Sequence, residues 1–447
     1  MNSGEHPKKS SAFKDALILQ SRQQRLHRAS SPPTIDRADT AEAASPLARS
    51  CDFSNHPGYT QVQLTQSLAL TQGVTNPYFR VHDRAAGATT SIDGRSFINF
   101  SSYNYLGLSG DLEVSKAAKE AIDLYGTSVS ASRAVSGERP IHQQLERAIA
   151  SAYEVDDALV FVSGHATNVT TIGYLFGKSD LILHDEYVHN SALQGIQLSG
   201  ATRMSFPHND WRALEHLLRQ HRRQFQRTLV VVEGIYSMDG DFPDLPKFVE
   251  VKNKHQALLM VDEAHSFGIL GTAGLGIREH FGLNGLDVDI WMGTLSKALA
   301  SCGGYIAGAH PLIENLRYLA PGFLYSVGMP PPVAAAALAA LEKLRAEPWR
   351  VRDLVARGGQ FLREAQAAGV NTGTSAGLSI VPAITGSSVQ AAKLSAALYE
   401  SGINVQPILH PAVPEKSARL RFFLSCQHTP DQISETVEAL SRYSRHP

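Results

Sequence analysis

Residues 258–271 read LLMVDEAHSFGILG and residues 291–304 read WMGTLSKALASCGG. Each opens on an apolar run of strand length and leads into a turn that carries charge, Asp262 directly at the strand end in the first and Lys297 in the second. The C-terminal ends of such strands are where open α/β sheets place ligands. A lysine there can bond an aldehyde cofactor covalently. A buried carboxylate can hold a pyridine nitrogen protonated, which turns the ring into an electron sink for a carbanion at a substrate α-carbon. Neither residue decides this alone, because a strand-end Asp is also an ordinary helix cap. The two together, among glycines, point to chemistry.

On either side of this pair, apolar strands alternate with amphipathic helices. Strands are expected at Ala158–Ser163, Leu181–His184, Leu229–Glu233, Leu258–Asp262 and Asp289–Gly293, and helices at Ile141–Tyr153, Trp211–Arg222 and Leu245–Lys254. That order predicts an α/β fold with a mostly parallel sheet covered on both faces. The Ala-rich run Val333–Arg345 predicts a long helix, and beyond it Leu378–Ala383 and Arg419–Ser425 predict strands of a smaller α+β portion. The segment Phe161-Val162-Ser163-Gly164-His165-Ala166-Thr167-Asn168 runs from a strand into a helix. Small residues at such a turn let backbone N–H groups approach an anion, and the helix dipole favours a phosphate there. Thr294 and Ser296 flank the lysine and offer hydroxyls to the same phosphate.

The bulk numbers bound the rest. With 447 residues, 43% of them hydrophobic, the chain can bury a large core and form more than one domain. A net charge of −1 gives no reason to invoke nucleic acid. Cys51, Cys302 and Cys426 read as free thiols of a reducing compartment, not a disulfide framework or a zinc site. No uncharged apolar run is long enough to span a bilayer, so a cytoplasmic location is expected. Residues 1–73, rich in Ser, Gln, Arg, Ala and Pro, predict a mostly disordered extension with a short helix near Phe13–Leu26. Its acidic residues argue against a transit peptide.

The stretches NFSSYNYLGL, YGTSVSASRAVSGERPIHQQLE, VVVEGIYSMDGD, VDEAHSFGILG, GTLSKALASCGGY, LYSVGMPP and RLRFFLS, in that order, resemble the α-oxoamine synthase family of fold-type I pyridoxal-phosphate enzymes. The resemblance implies a large cofactor-binding domain over 115–332 and a small domain over 333–447, which the segment 74–114 joins. It implies pyridoxal 5'-phosphate tethered by Lys297, with Asp262 on the pyridine nitrogen. His265 and Ser237 would face the phenolic oxygen, and His189 would stack on the ring. Phosphate ligands would be the backbone at His165 and Ala166, the hydroxyls of Thr294 and Ser296, and Ser326 from a partner subunit in a homodimer. Val327 stands where some relatives carry a hydroxyl residue.

By the same resemblance Arg421 binds the amino acid's carboxylate, while Tyr103 and Asn104 belong to a segment that reaches the neighbouring subunit's substrate. The reaction implied is decarboxylative condensation of a small α-amino acid (serine, glycine or alanine) with an acyl thioester carried by coenzyme A or an acyl carrier protein. The Tyr-Asn form of SYNYLG leans toward long-chain or polyketide-type acyl groups. An aminotransferase of the same fold is the alternative. Arg419 is expected at the surface, and His184 and His208 are expected to be structural.

Overall fold

The structure is a computed structural model and describes residues 50–71, 73 and 76–445. The chain divides into two compact units between Ser67 and Leu68. In the first, Asp52 caps a short turn over Phe53–Asn55 by accepting from Ser54 N (2.8 Å). A helix then runs over Pro57–Thr71, into the start of the second unit, with exposed side chains wherever they are described. This helix lies near the end of the segment 1–73 that is read from sequence as mostly disordered. Proline suits a first helical turn, and no glycine or proline interrupts the chain from Tyr59 to Thr71. The weak apolar periodicity concealed the helix. The helix expected at Phe13–Leu26 lies outside the described residues.

The second unit begins with a hairpin of β1 (Thr89–Ile92) and β2 (Arg95–Asn99). Asp93 and Gly94 between them both take positive φ, 50° and 72°, the two-residue turn whose twist matches antiparallel strands. A seven-stranded sheet follows, formed by β3 (Asp157–Phe161), β4 (Leu181–Asp185), β5 (Thr202–Phe206), β6 (Thr228–Glu233), β7 (Leu258–Asp262), β8 (Ile290–Thr294) and β9 (Gly304–Gly308). Their spatial order is β3-β9-β8-β7-β6-β4-β5, and β9 alone runs against the others.

Every residue of β6 is buried. Val230 and Val232 join one apolar cluster, Leu229 and Val231 the other, as the two-residue repeat of a strand covered on both faces requires. The helices Pro140–Tyr153 and Leu245–Lys254 contribute to the first cluster, and Gly164–Leu175, Asn190–Ser199 and His310–Leu319 to the second. The smaller portion holds β10 (Ile380–Ile384), β11 (Ile403–Asn404), β12 (Pro407–Ile408) and β13 (Arg419–Phe423). The order β10-β13-β12 is antiparallel, while β11 extends the hairpin by pairing with β2 in parallel.

The expected strands and helices are present, with ends shifted by one or two residues. The hairpin, β5 and β9 were not anticipated. β9 reads GYIAG, too short and glycine-rich to signal a strand, and β5 is an edge strand with a mostly polar, solvent-facing sequence. The sheet matters to function because β3, β4, β6, β7 and β8 all point their C-terminal ends at one place.

Candidate active site

Lys297 follows β8 by three residues, and Asp262 is the last residue of the adjacent strand β7. The Lys297 ammonium is largely buried, and burial pushes its pKa down to about 8, against the pull of Asp262 and Glu233; Arg421 lowers it further. Asp262 is buried. Its Oδ2 accepts from Asn168 Nδ2 (2.8 Å) and its Oδ1 from the backbone N of Ala264 (2.9 Å). Asn168 Nδ2 also donates to Ser191 Oγ (2.9 Å). Two amide donors hold the carboxylate in place while leaving its charge directed at the lysine.

His265 lies in the turn after β7, with Nε2 2.7 Å from Lys297 Nζ and Nδ1 2.9 Å from Tyr105 Oη. Burial first, then the charges of Lys297, Arg421 and His189, hold this imidazole well below its ordinary pKa, so it is neutral. His189 caps the helix Asn190–Ser199 after β4. Its Nδ1 meets Ser191 Oγ at 2.7 Å, and its backbone N donates to Glu233 Oε1 (2.6 Å), the last residue of β6. Burial lowers the pKa of His189, with Asp262 opposing. Glu233 is held well above the carboxylate range by burial and by Asp262, while Lys297 pulls it down.

The turn after β3 is the one whose sequence suggests a phosphate cradle. Ser163 caps the helix Gly164–Leu175, its Oγ accepting from Ala166 N (3.4 Å). A Cβ on Gly164 would sit 2.8 Å from Thr294 Oγ1, so only glycine lets the helix start approach β8 this closely. Thr294 Oγ1 and Ser296 Oγ both donate to Gly303 O, at 2.9 and 3.4 Å. His165 is exposed at the mouth of this turn. Ser326 Oγ donates to Val327 O (3.2 Å).

On the small-domain side, Arg421 projects from β13. Its Nη1 donates to Ser237 O (3.0 Å) and lies 3.5 Å from Met238 Sδ, its guanidinium carbon sits 4.5 Å from the centre of the Phe423 ring, and its buried Nε has no partner among the described residues. The Tyr103 ring lies 5.4 Å from Lys297 Nζ and meets His265 edge-on at 5.9 Å. Asn104 is buried, and its side chain bonds Ala86 O, which precedes the hairpin, and Ser109 O and Ser109 N in its own loop. Arg419 requires a correction. It lies on the same face of β13 as Arg421, two residues along, as the strand repeat demands, but it is buried, donating to Asp239 Oδ1 (2.6 Å) and Met238 O (2.9 Å). The two arginines hold the Ser237–Asp239 loop from that one face.

Tyr105, Asn168 and Glu233 were missed by sequence reasoning. Their partners lie far away along the chain, and the residue types carry no distinctive chemistry. His208 is bracketed by Asp185 Oδ1 and Asp241 Oδ2, both at 3.0 Å, and these carboxylates push its pKa up to about 10 against burial. His184 is buried, with Nδ1 on Asp185 O (2.8 Å).

Comparison with known proteins follows this geometry. Residues 95–440 match the sequence profile of the family described as aminotransferase class I and II. An 8-amino-7-oxononanoate synthase of Symbiobacterium thermophilum is 40% identical over 354 residues, covering 79% of this chain and 90% of the relative. One from Thermoanaerobacter pseudethanolicus is 35% identical over 365 residues, 82% of this chain and 92% of the relative. Among solved structures, a serine palmitoyltransferase from S. paucimobilis, bound to pyridoxal phosphate and myriocin, superposes with a TM-score of 0.84 at 30% identity, covering 88% of this chain and 98% of that one. An 8-amino-7-oxononanoate synthase from Francisella tularensis gives a TM-score of 0.68 at 27% identity, covering 78% and 98%.

Proposed function

Because this chain belongs to the aminotransferase class I and II family, with α-oxoamine synthases as its relatives, we propose that the site around Lys297 condenses a small α-amino acid with an acyl thioester. Carbon dioxide and a free thiol are released and an α-amino ketone remains. The observation that carries this reading is the convergence of Lys297, His265, Asp262 and His189 on one buried site, with Arg421 facing it from the small domain. The relatives' names describe the same chemistry: an 8-amino-7-oxo product has its amine beside its ketone, and a serine palmitoyltransferase joins an amino acid to an acyl group.

The residues present fit pyridoxal phosphate. The glycine-lined start of the helix Gly164–Leu175, with the Thr294 and Ser296 hydroxyls beside it, suits a phosphate. A buried carboxylate held by two amide donors suits a protonated ring nitrogen. Lys297 would tether the group, and His265 and Ser237 would address its phenolic oxygen. When bound, the cofactor supplies an electron sink for the amino acid's α-carbon.

The chain's own residues do the rest. Lys297, a buried amine poised near neutrality, takes a proton from the α-carbon and returns it after carbon dioxide has left. Arg421, with a free Nε and the planar fork that matches a carboxylate, holds the amino acid's acid group. His189, neutral and fixed by Ser191 and Glu233, closes one face and excludes water. Tyr103 covers the lysine from the other side. Orientation of the breaking bond is thereby set by fixed groups before the reaction begins.

Glycine, alanine and serine each fit this arrangement, and either coenzyme A or an acyl carrier protein fits as thiol carrier. A homodimer is part of the proposal. Tyr318, Leu319, Tyr325 and Val327 expose large apolar surface around Ser326, which supports a second copy covering them and receiving Ser326 at its phosphate site. Among the described residues no helix is long and apolar enough to cross a membrane, and the free thiols suit the cytoplasm. The test is to incubate the purified, cofactor-loaded protein with each amino acid and a series of acyl thioesters. Carbon dioxide and free thiol should appear in equal amounts. Amino-group transfer to a keto acid without thiol release would overturn the proposal and favour an aminotransferase.

A further inference from the structure

Beyond the residues that face substrate, one phenol stands directly behind the lysine's neighbour. Tyr105 is fully buried, and among the described residues its Oη has one hydrogen-bond partner, His265 Nδ1. Its ring is fixed edge-on against Tyr103 and Phe423, and its carbonyl accepts from Cys426 N (2.8 Å), which ties it to the end of β13. The three groups form a line, Tyr105 Oη to His265 Nδ1 and His265 Nε2 to Lys297 Nζ, at 2.9 and 2.7 Å.

A neutral imidazole carries one N–H and must choose where to place it. An ammonium can only donate. While Lys297 is charged, Nε2 must therefore accept, and the ring proton sits on Nδ1, donating to Tyr105. Once Lys297 is an amine, Nε2 can hold the proton and donate, and Nδ1 must accept. A carbonyl in place of Tyr105 would permit only the first state, and an N–H only the second. A phenol serves both by turning its hydroxyl.

We propose that Tyr105 is a positioning residue that keeps His265 hydrogen-bonded and in place in either tautomer, so that Nε2 alternates between acceptor and donor as the proton on Lys297 comes and goes. Desolvation makes the arrangement necessary, since a buried ring nitrogen without a partner carries a heavy cost. The charged and titratable groups facing this line are Asp262 from β7, Glu233 from β6, His189 from the turn after β4, Arg421 from β13 and Tyr103 beside it. None of them reaches Nδ1. The inference takes its purpose from the proposed reading of the site but its geometry from the fold alone.

The experiment uses the full-length protein with nitrogen-15-labelled histidine, read by long-range proton–nitrogen correlation spectra from about pH 6 to pH 10. A His265→Gln variant assigns the ring. In the wild type, the protonated nitrogen should be Nδ1 below the Lys297 midpoint near pH 8 and Nε2 above it. In Tyr105→Phe, circular dichroism should report an intact fold while this exchange of tautomers is lost. The midpoint for capture of pyridoxal phosphate by the cofactor-free protein should then fall by about half a pH unit, because the bond that favours the ammonium has gone. A wild-type ring that keeps one tautomer throughout overturns the inference even if Tyr105→Phe does not fold, as does a folded variant that reproduces the wild-type course. Neither reading needs turnover. A single-tautomer protein that still condenses refutes this inference alone, and a switching protein that releases no carbon dioxide refutes the proposed reaction alone.

Discussion

Arg421 shows how much one side chain can do at this site. Its Nη1 is held by Ser237 O while its buried Nε has no partner among the described residues, a half-satisfied fork of the kind the proposed carboxylate binding needs. Lysine in its place keeps the charge but loses the planar pair of donors. We expect Arg421→Lys to raise KM for the amino acid about 10- to 100-fold, the worth of a charge-assisted hydrogen bond, with a smaller change in kcat; steady-state kinetics with the amino acid varied would check this. Residues of this kind were legible in the sequence. A strand-end Lys, a strand-end Asp and an Arg in RLRFF carry distinctive chemistry and sit in recognisable strings. Tyr105, Asn168 and Glu233 were not legible, because each acts by holding another side chain from a distant stretch, and only the folded chain brings Tyr105 to His265 or Asn168 to Asp262.

Elements bring those residues together, and two of them can be tested directly. The helix Gly164–Leu175 begins against β8 so closely that a methyl group at residue 164 would strike Thr294 Oγ1. Gly164→Ala should push the helix start and the hydroxyl apart and weaken pyridoxal phosphate binding about 10-fold, with little loss of stability, as a cofactor titration and a melting curve would show. The loops after β4 and β6 are pinned by His208 between Asp185 and Asp241. Asp185 also accepts from Tyr187 N and Asn209 N, and so shapes the turn that carries His189. The pKa of His208 is raised to about 10 when folded and lies near 6.5 when unfolded. Its stabilising contribution is therefore complete below about pH 6.5 and disappears as pH rises through about 10. His208→Gln should cost about 1–2 kcal/mol at pH 6, a figure reduced for partial solvent screening. The gap to wild type in chemical denaturation should close toward pH 10. In the sequence His208 reads only as structural, since an isolated histidine gives no hint of two carboxylates converging from the end of β4 and the loop after β6.

At the scale of the whole molecule, the parallel sheet was legible because its strands are continuous apolar runs, whereas the small portion was legible only in outline. Its strands are short, and β11 completes a sheet with a hairpin some 300 residues earlier in the chain. Arg419 was misplaced for the same reason: nothing in RLRFF says that Asp239 comes to meet it. The division between Ser67 and Leu68 has a functional consequence. Every side chain assigned to binding or chemistry, from Tyr103 to Arg421, lies in the second unit, and so do both apolar clusters. The helix Pro57–Thr71 exposes its described side chains instead of adding to either cluster. Removing residues 1–67 should therefore leave pyridoxal phosphate affinity, melting temperature and condensation with an acyl-coenzyme A within about twofold of the full chain, since both apolar clusters and every assigned side chain lie in the second unit. Any contribution of the first unit should appear only with a donor bound to a carrier protein, as a rise in KM for that donor at constant kcat. Equal loss with both donors would show that the first unit supports the site itself and would overturn this prediction.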